Sequence, residues 1–480
     1  MNEFELAALL PFIMLASASI IIILLIAFRL SHTVIQVFGF LLMCLTVFTM
    51  WYVRDTLPRQ IKPLFIVDGM AALFTGLIIF SVLVVGLFSY IYFEEREENP
   101  KEYYILIFLS TLGAGTLTIS NHFISFFLGL EILSVSLYSL IAYLRFRSNA
   151  IEAGVKYLVL AALTSAFLLF GMALIYMETG SMEFAVIAER LRALDHTPAL
   201  FIIGVGILIV GLVYKLALVP FHLWAADVYQ GASAPVTSFI ATVSKIGVFA
   251  VLVRFSAELN LQTYPLFITI FSTLAIASMV FGNILALLQQ NIKRLLAYSS
   301  IAHFGYLIVA FLPGNEEGIE AGIFYLFAYS ITILSAFGII TLLSPKEKDA
   351  EDINYYRGLF WRNPLMATVL AVALLSLAGI PLTAGFIGKF YVLTSGVHEH
   401  LWLPVIMLVL TSVIGLYYYL RIISTLFAES SAPVVKGKVL HPFFYFATNA
   451  ALVVLVLLLV GVGIFPGLVI DQIKEFLLIG

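Results

Sequence analysis

The sequence predicts an all-α polytopic membrane protein of about fourteen transmembrane helices, arranged as two inverted five-helix repeats with broken helices at the seventh and twelfth spans. Three observations predict it. Apolar residues make up 62% of the 480 residues and charged ones only 11%, too few polar side chains to cover a soluble globule of this size. Apolar runs of roughly 20 residues, each enough to cross a hydrocarbon core ~30 Å thick, recur along the chain and argue for helices rather than a barrel. Two of those runs are longer than one crossing requires and are interrupted, one at Pro220 and one at Gly379-Ile380-Pro381.

Splitting the chain at charged or Pro/Gly-rich stretches places the spans near residues 8–28, 33–53, 68–94, 104–120, 121–143, 154–178, 199–230, 235–256, 264–288, 293–313, 318–344, 363–395, 401–427 and 441–465. The first has Glu3 and Glu5 before it and no small-residue cleavage site after it, so it reads as a retained span and not a signal peptide. The fourth and fifth are separated only by Ser120-Asn121-His122. The expected organisation is an N-terminal three-helix segment (1–103), a first five-helix repeat (104–256), a second, inverted repeat (264–427), and a C-terminal helix and tail (428–480). An odd number of crossings per block inverts the second block relative to the first, and the two interruptions then fall in the fourth span of each. Matched interruptions point to a transport site near the bilayer midplane; prolines also kink membrane helices without that meaning.

The loops after odd-numbered spans carry 14 Lys and Arg, among them Arg96, Arg147, Lys293, Lys436 and Lys438, and those after even-numbered spans carry 6. The excess of positive charge on the cytoplasmic side puts both termini outside the cytoplasm. Other chemistries are excluded. A lone Cys44 allows neither a disulfide framework nor a cysteine-ligated cluster, and the eight histidines form no paired metal motif. There is no GxGxxG, P-loop or CxxC set, and a net charge of −3 gives no sign of nucleic-acid binding. The chain brings no electron carrier and no ATPase, so energy for transport comes from an ion gradient or a partner.

The candidate residues for proton translocation are charges set inside apolar spans. Tyr214 to Val248 contains Lys215, His222, Asp227 and Lys245. A lysine at the centre of a bilayer-spanning helix costs at least ~2.5 kcal/mol, so such a residue is read as facing a protein interior or a water cavity. Glu131, in FLGLEILSVSLY, is a carboxylate in hydrocarbon whose charged form needs a cation nearby, and Lys215 is the candidate for it. Such a pair either switches as protons and charges arrive or statically fixes helix packing. Lys245 lies ten residues beyond Pro235, near mid-bilayer, and Lys389 eight residues beyond the second break. Each is either a proton carrier or a structural lysine bonded to carbonyls freed by a break. Gly385 and Gly388 would let a neighbouring helix or water approach Lys389. His222 and His303 either bridge the lysines through water or serve as structural hydrogen-bonders. Lys156 either joins the relay or pairs with Glu152 one turn earlier. His122, Arg254, Arg294 and Arg421, near span ends, read as interfacial anchors, and Tyr298-Ser299-Ser300 adds hydroxyls to the tenth span.

The runs GLEILSVSLYSLIAY, VYKLALVPFHLWAADVYQGASAPVTSFIATVSKIG, IKRLLAYSSIAHFGY and IPLTAGFIGKF resemble the antiporter-like, proton-translocating membrane subunits of respiratory complex I, across spans 4 to 13. Within that family the chain is most similar to the N-subunit branch of bacterial NADH:quinone oxidoreductase. Leu130 stands where the L and M branches usually have tryptophan, and Lys389 where the M branch typically has glutamate. The resemblance implies that Glu131 and Lys215 form the charge pair, that Lys245 is the central lysine and Lys389 the terminal one. It also implies no cofactor in this chain: NADH, FMN, iron–sulfur clusters and quinone belong to partner subunits. The expected partners are the lipid bilayer and other complex I membrane subunits, including a second antiporter-like subunit and small membrane subunits. A subunit of a cation/proton antiporter and a non-catalytic membrane scaffold are the alternative readings.

Overall fold

The computed structural model describes residues 3–94, 96, 100–194, 197–429 and 442–479. In chain order the helices are α1 (Glu3–Ala8), α2 (Leu10–Ala27), α3 (His32–Val53), α4 (Gly69–Glu94), α5 (Glu102–Thr118), α6 (Phe123–Ile141), α7 (Ser148–Thr179), α8 (Phe184–Arg192), α9 (Ala199–Leu216), α10 (Leu223–Gly231), α11 (Ala234–Phe239), α12 (Lys245–Glu258), α13 (Pro265–Leu287), α14 (Ile292–Phe311), α15 (Glu316–Leu343), α16 (Leu359–Arg362), α17 (Pro364–Ala378), α18 (Ala384–His398), α19 (Trp402–Phe427), α20 (Pro442–Ile464) and α21 (Gly467–Leu477). A small antiparallel hairpin, β1 (Arg59–Ile61) and β2 (Phe65–Val67), pairs Gln60 with Ile66 between α3 and α4.

Among the described residues, 12 helical stretches are long and apolar enough by themselves to cross a bilayer. The expected spans outside that set are the 17-residue α5 and the interrupted pair α17 and α18. Helices are the only solution such sequence permits, because hydrocarbon offers no partner to a free N–H or C=O. Several of their starts are set by side-chain caps. Asn291 accepts from the amides of Lys293 and Arg294, Asn315 from Gly318, and Thr383 from Phe386. Two amphipathic helices, α8 and α21, lie outside the expected spans; each is too short and too polar to register as a crossing.

The stretch from Ala234 to Ser256 is buried throughout, and α14 almost wholly so. The outer helices α3, α7 and α19 instead leave apolar side chains such as Leu41, Phe48, Leu163, Phe170 and Val413 exposed, as a lipid-facing surface requires. Lys245 sits on the innermost stretch, while Glu131, Lys215 and Lys389 sit on α6, α9 and α18.

The connections meet in two groups, at the two ends of the 26-residue α4. At one end Arg96 donates to the carbonyls of Ser344 and Pro345, Arg147 and Lys293 to Asp349, and Lys293 to the carbonyls of Gln230 and Ala232. At the other, Phe65 bridges to Ser120, His122 to Glu183, and Arg254 to Asp68. Loops after odd spans are thus neighbours of one another, and so are loops after even spans. Lys436 and Lys438, counted with the basic loops, lie outside the described residues.

Two expected interfacial anchors are buried instead. Arg254 forms a bidentate pair with Asp68, at 2.7 and 2.9 Å, and also donates to the Thr118 carbonyl. His122 is turned inward, and its Nδ1 accepts from the Ile124 amide at the start of α6. Proximity to a span end is a property of the sequence, whereas a buried partner 186 residues away is not. Asp68→Ala leaves the Arg254 guanidinium buried and unpaired, at an expected cost of about 3–5 kcal/mol. A lower thermal transition of the purified complex is the expected result, and an unchanged one would contradict it.

Candidate functional site

Both interrupted spans end their first half the same way. At the end of α9 the chain turns through Ala217, in the left-handed region at φ 59°, with Leu218 N donating to Val213 O and Ala217 N to Tyr214 O. At the end of α17 it turns through Gly379 at φ 79°, with Ile380 N donating to Leu375 O and Gly379 N to Ser376 O. These are the paired 6→1 and 5→2 bonds of a Schellman ending. Glycine suits the position; alanine at Ala217 carries strain there. Each ending leaves the negative pole of a half-helix inside the protein, where a cation is favoured.

A lysine lies near each break, but only one bonds the freed carbonyls. Lys215 lies in the last turn of α9, and its ammonium donates to Ser134 Oγ at 2.5 Å. Lys389 comes from the second half-helix, α18, and reaches back to the carbonyls of Leu377 and Ala378 at 2.9 and 3.1 Å, with its ammonium 5.2 Å from the Tyr306 ring centre. These bonds hold the Lys389 ammonium on carbonyls freed by the break. Gly385 has no room for a side chain, since an added Cβ would lie 2.0 Å from Ser376 O. At Gly388 an added Cβ would lie 3.0 Å from the Tyr325 ring. The close approach expected at these glycines is thus made by α17 and by Tyr325.

Glu131 and Lys215, expected as a charge pair, are not in direct contact. Glu131 accepts from Ser165 Oγ at 2.5 Å, while Lys215 is held by Ser134, one turn further along α6. Ser134 in turn donates to Leu130 O at 2.6 Å. Helical spacing places positions 131 and 134 on one face, so the serine stands beside the carboxylate and takes the ammonium first.

Lys245 sits where a π-helical segment, Ile240–Ser244, joins α11 to α12. Such segments interrupt the regular ladder and recur at functional positions. Its ammonium donates to Ser300 Oγ at 2.7 Å and lies 4.2 Å from the Phe304 ring centre. Ser300 also accepts from the Tyr329 hydroxyl at 2.6 Å and is 3.4 Å from the Tyr229 hydroxyl. The neighbouring Ser299 bonds the Tyr419 hydroxyl, which is 3.2 Å from His303 Nε2; His303 Nδ1 is 2.6 Å from the Tyr325 hydroxyl. Hydroxyl and phenol groups both donate and accept, so each of these two groups on α14, the one around Ser300 and the one from Ser299 to Tyr325, can pass a proton within itself.

Lys215, Lys245 and Lys389 are 2, 1 and 7% exposed, and no carboxylate among the described residues lies within ion-pair distance of any of them. A charged ammonium held only by hydroxyls, carbonyls and ring faces is poorly compensated, which suits a group that gains and loses a proton better than one that only holds helices together.

The remaining candidates divide. His303 is within the cluster through tyrosines, not through a lysine. His222 sits in the α9–α10 break with Nδ1 unpartnered among the described residues and bonds no lysine. Lys156 is exposed and pairs with Glu152 at 2.7 Å and Asp227 at 3.0 Å; Asp227 also takes Arg294 at 2.8 Å. Its geometry is that of the interfacial pair, extended by Asp227, beside a cleft lined by Asn149, Glu152 and Gln230. Sequence reasoning missed the roles of Ser134, Ser165 and Tyr419, for which hydropathy carries no signal, and of Lys293, which looks like one more loop cation but is fully buried.

Comparison with known proteins identifies the family and the fold. A chain of respiratory complex I from Thermus thermophilus with bound aureothin is 32% identical, with a TM-score of 0.82 over 96% of this chain and 99% of that one. A chain of the membrane-bound sulfane sulfur reductase, an archaeal respiratory membrane complex, is 26% identical, with a TM-score of 0.85 over 98% and 96%. A chain of the Mrp complex from Dietzia sp. DQ12-45-1b has the same fold at 21% identity, with a TM-score of 0.83 over 98% and 96%. Residues 120–415, which hold both breaks and all four buried lysines, match the family described as NADH:quinone oxidoreductase/Mrp antiporter, TM. The chain belongs to that family of antiporter-like membrane subunits.

Proposed function

We propose that this chain is the N-type, proton-translocating subunit of a bacterial NADH:quinone oxidoreductase. In this reading, electron transfer in other subunits drives protonation changes along Glu131, Lys215, Lys245 and Lys389. The observation that carries the reading is the set of three buried lysines with no carboxylate in contact, two of them at the broken ends of half-helices and one at a π-segment. His303 extends the line from Ser299 to Tyr325, and His222 and Lys156 lie off it. NADH, FMN, iron–sulfur clusters and quinone are assigned to partner subunits, and a second antiporter-like subunit and small membrane subunits to its flanks. The grouping of basic loops supports a location in the inner membrane with both termini periplasmic, and the two similar breaks support an inverted pair of five-helix units.

A second reading, a subunit of a different antiporter-like complex, is favoured by the near-complete match to the sulfane sulfur reductase chain. Purification of the chain from its native membrane under mild detergent decides between them. Co-purification with NADH-oxidising, iron–sulfur subunits is the expected outcome. Co-purification with antiporter subunits alone, or with a sulfur-reducing module, would replace the proposal.

A further inference from the structure

Lys293 is the fourth fully buried lysine, and the proton line does not use it. It begins α14 and is 0% exposed. Its ammonium donates to Gln230 O at 3.0 Å, Ala232 O at 2.6 Å and Asp349 Oδ2 at 2.7 Å, which uses its three protons. The two carbonyls lie at the end of α10, where no intrahelical partner remains for them.

Asp349, in the connection after α15, is shared. Its Oδ1 accepts from Arg147 Nη1 at 3.0 Å and from the Tyr92 hydroxyl. Burial alone would push its carboxyl up; the Lys293 ammonium, the hydrogen bonds of Lys293 and Tyr92, and Arg147 outweigh burial and hold it down at about 2. The connection is pinned further by Arg96 on the carbonyls of Ser344 and Pro345. The end of α10 has no slack on its other side, since an added Cβ at Gly231 would lie 2.4 Å from Ala153 Cβ.

Lys293 and Ser300 are seven residues apart on α14, two turns, and so share a face. That face grips α10 twice: Lys293 holds the carbonyls that follow Tyr229, and Ser300 lies against the Tyr229 hydroxyl while accepting from Lys245. We propose that Lys293 and Asp349 are a positioning clamp that sets the register of α10 on α14, and so keeps Tyr229 and Lys245 together on Ser300. The clamp's functional consequence rests on the transport reading above.

The test uses the intact complex carrying Lys293→Met or, should that variant not assemble, Asp349→Asn, which keeps shape and removes charge. Asp68→Asn serves as the control, because it disrupts a comparable buried pair at the opposite end of the molecule. Amide hydrogen exchange across residues 233–245 is expected to rise about tenfold in the clamp variants and to stay unchanged in the control. Proton translocation per assembled complex is expected to fall at least about threefold in the clamp variants only. Unchanged exchange in the clamp variants overturns the clamp, as does an equal rise in Asp68→Asn. Raised exchange with full transport, in a complex where Lys245→Met abolishes transport, overturns its positioning role. Where Lys245→Met leaves transport intact, the functional reading fails, and raised exchange still supports the clamp.

Discussion

Lys245→Met in the intact complex is expected to lower coupled proton transport at least about tenfold while leaving the thermal transition unchanged or raised. The two halves of this expectation have one cause. Lys245 is 1% exposed, and its polar contact is a single serine hydroxyl, so burying its ammonium costs more than that hydroxyl offsets. Methionine fills a similar volume without the cost. A proton carrier therefore shows transport lost and stability kept. A lysine retained for packing shows the reverse, a lower transition with transport unaffected, and that result would favour the scaffold reading. Dye-monitored proton uptake by inside-out vesicles, normalised to assembled complex, measures the first half, and differential scanning calorimetry of the purified complex the second.

The second large effect is expected at Glu131 and Lys215. Their side chains rest on different serines of neighbouring helices, with Ser134 beside Glu131 on the same face of α6. A direct pair between them is the alternative arrangement. If transport alternates between the two arrangements, Glu131→Gln and Lys215→Met each remove one state. Each single variant is then expected to lower transport about tenfold, and the double variant no further, a coupling of about 1.4 kcal/mol. Losses that multiply in the double variant would mean that the two residues act independently. Ser134→Ala removes the competing acceptor and is expected to shift the balance towards the direct pair, with a smaller loss of transport.

Much of this site was legible before any coordinates. Glu131, Lys215, Lys245 and Lys389 stand out because each is a charge in sequence otherwise fit only for hydrocarbon. The interruptions at Pro220 and Gly379-Ile380-Pro381 stand out because neither stretch can continue an α-helix. What each charge touches was not legible. Lys215 faces a serine 81 residues away and Lys245 one 55 residues away; neither serine differs in the sequence from the many that only bond their own helix. Lys389 bonds a break that is visible in the sequence, but the reach back across 11 and 12 residues depends on how α18 folds over α17.

Lys293 and Arg254 show the same limit from the other side. In sequence Arg254 reads as an interfacial anchor and Lys293 as one more basic loop residue, yet each is buried against a carboxylate, Asp68 or Asp349. By itself the sequence determined the solvent of each segment, the helical form that solvent imposes, the places where helices must break, and the few charges that hydrocarbon cannot tolerate without a purpose. All of these follow from local composition and backbone chemistry. Only the tertiary structure decided the partners, because which hydroxyl or carboxylate meets a buried cation depends on how helices from distant parts of the chain rotate and cross, and hydropathy carries no record of those angles.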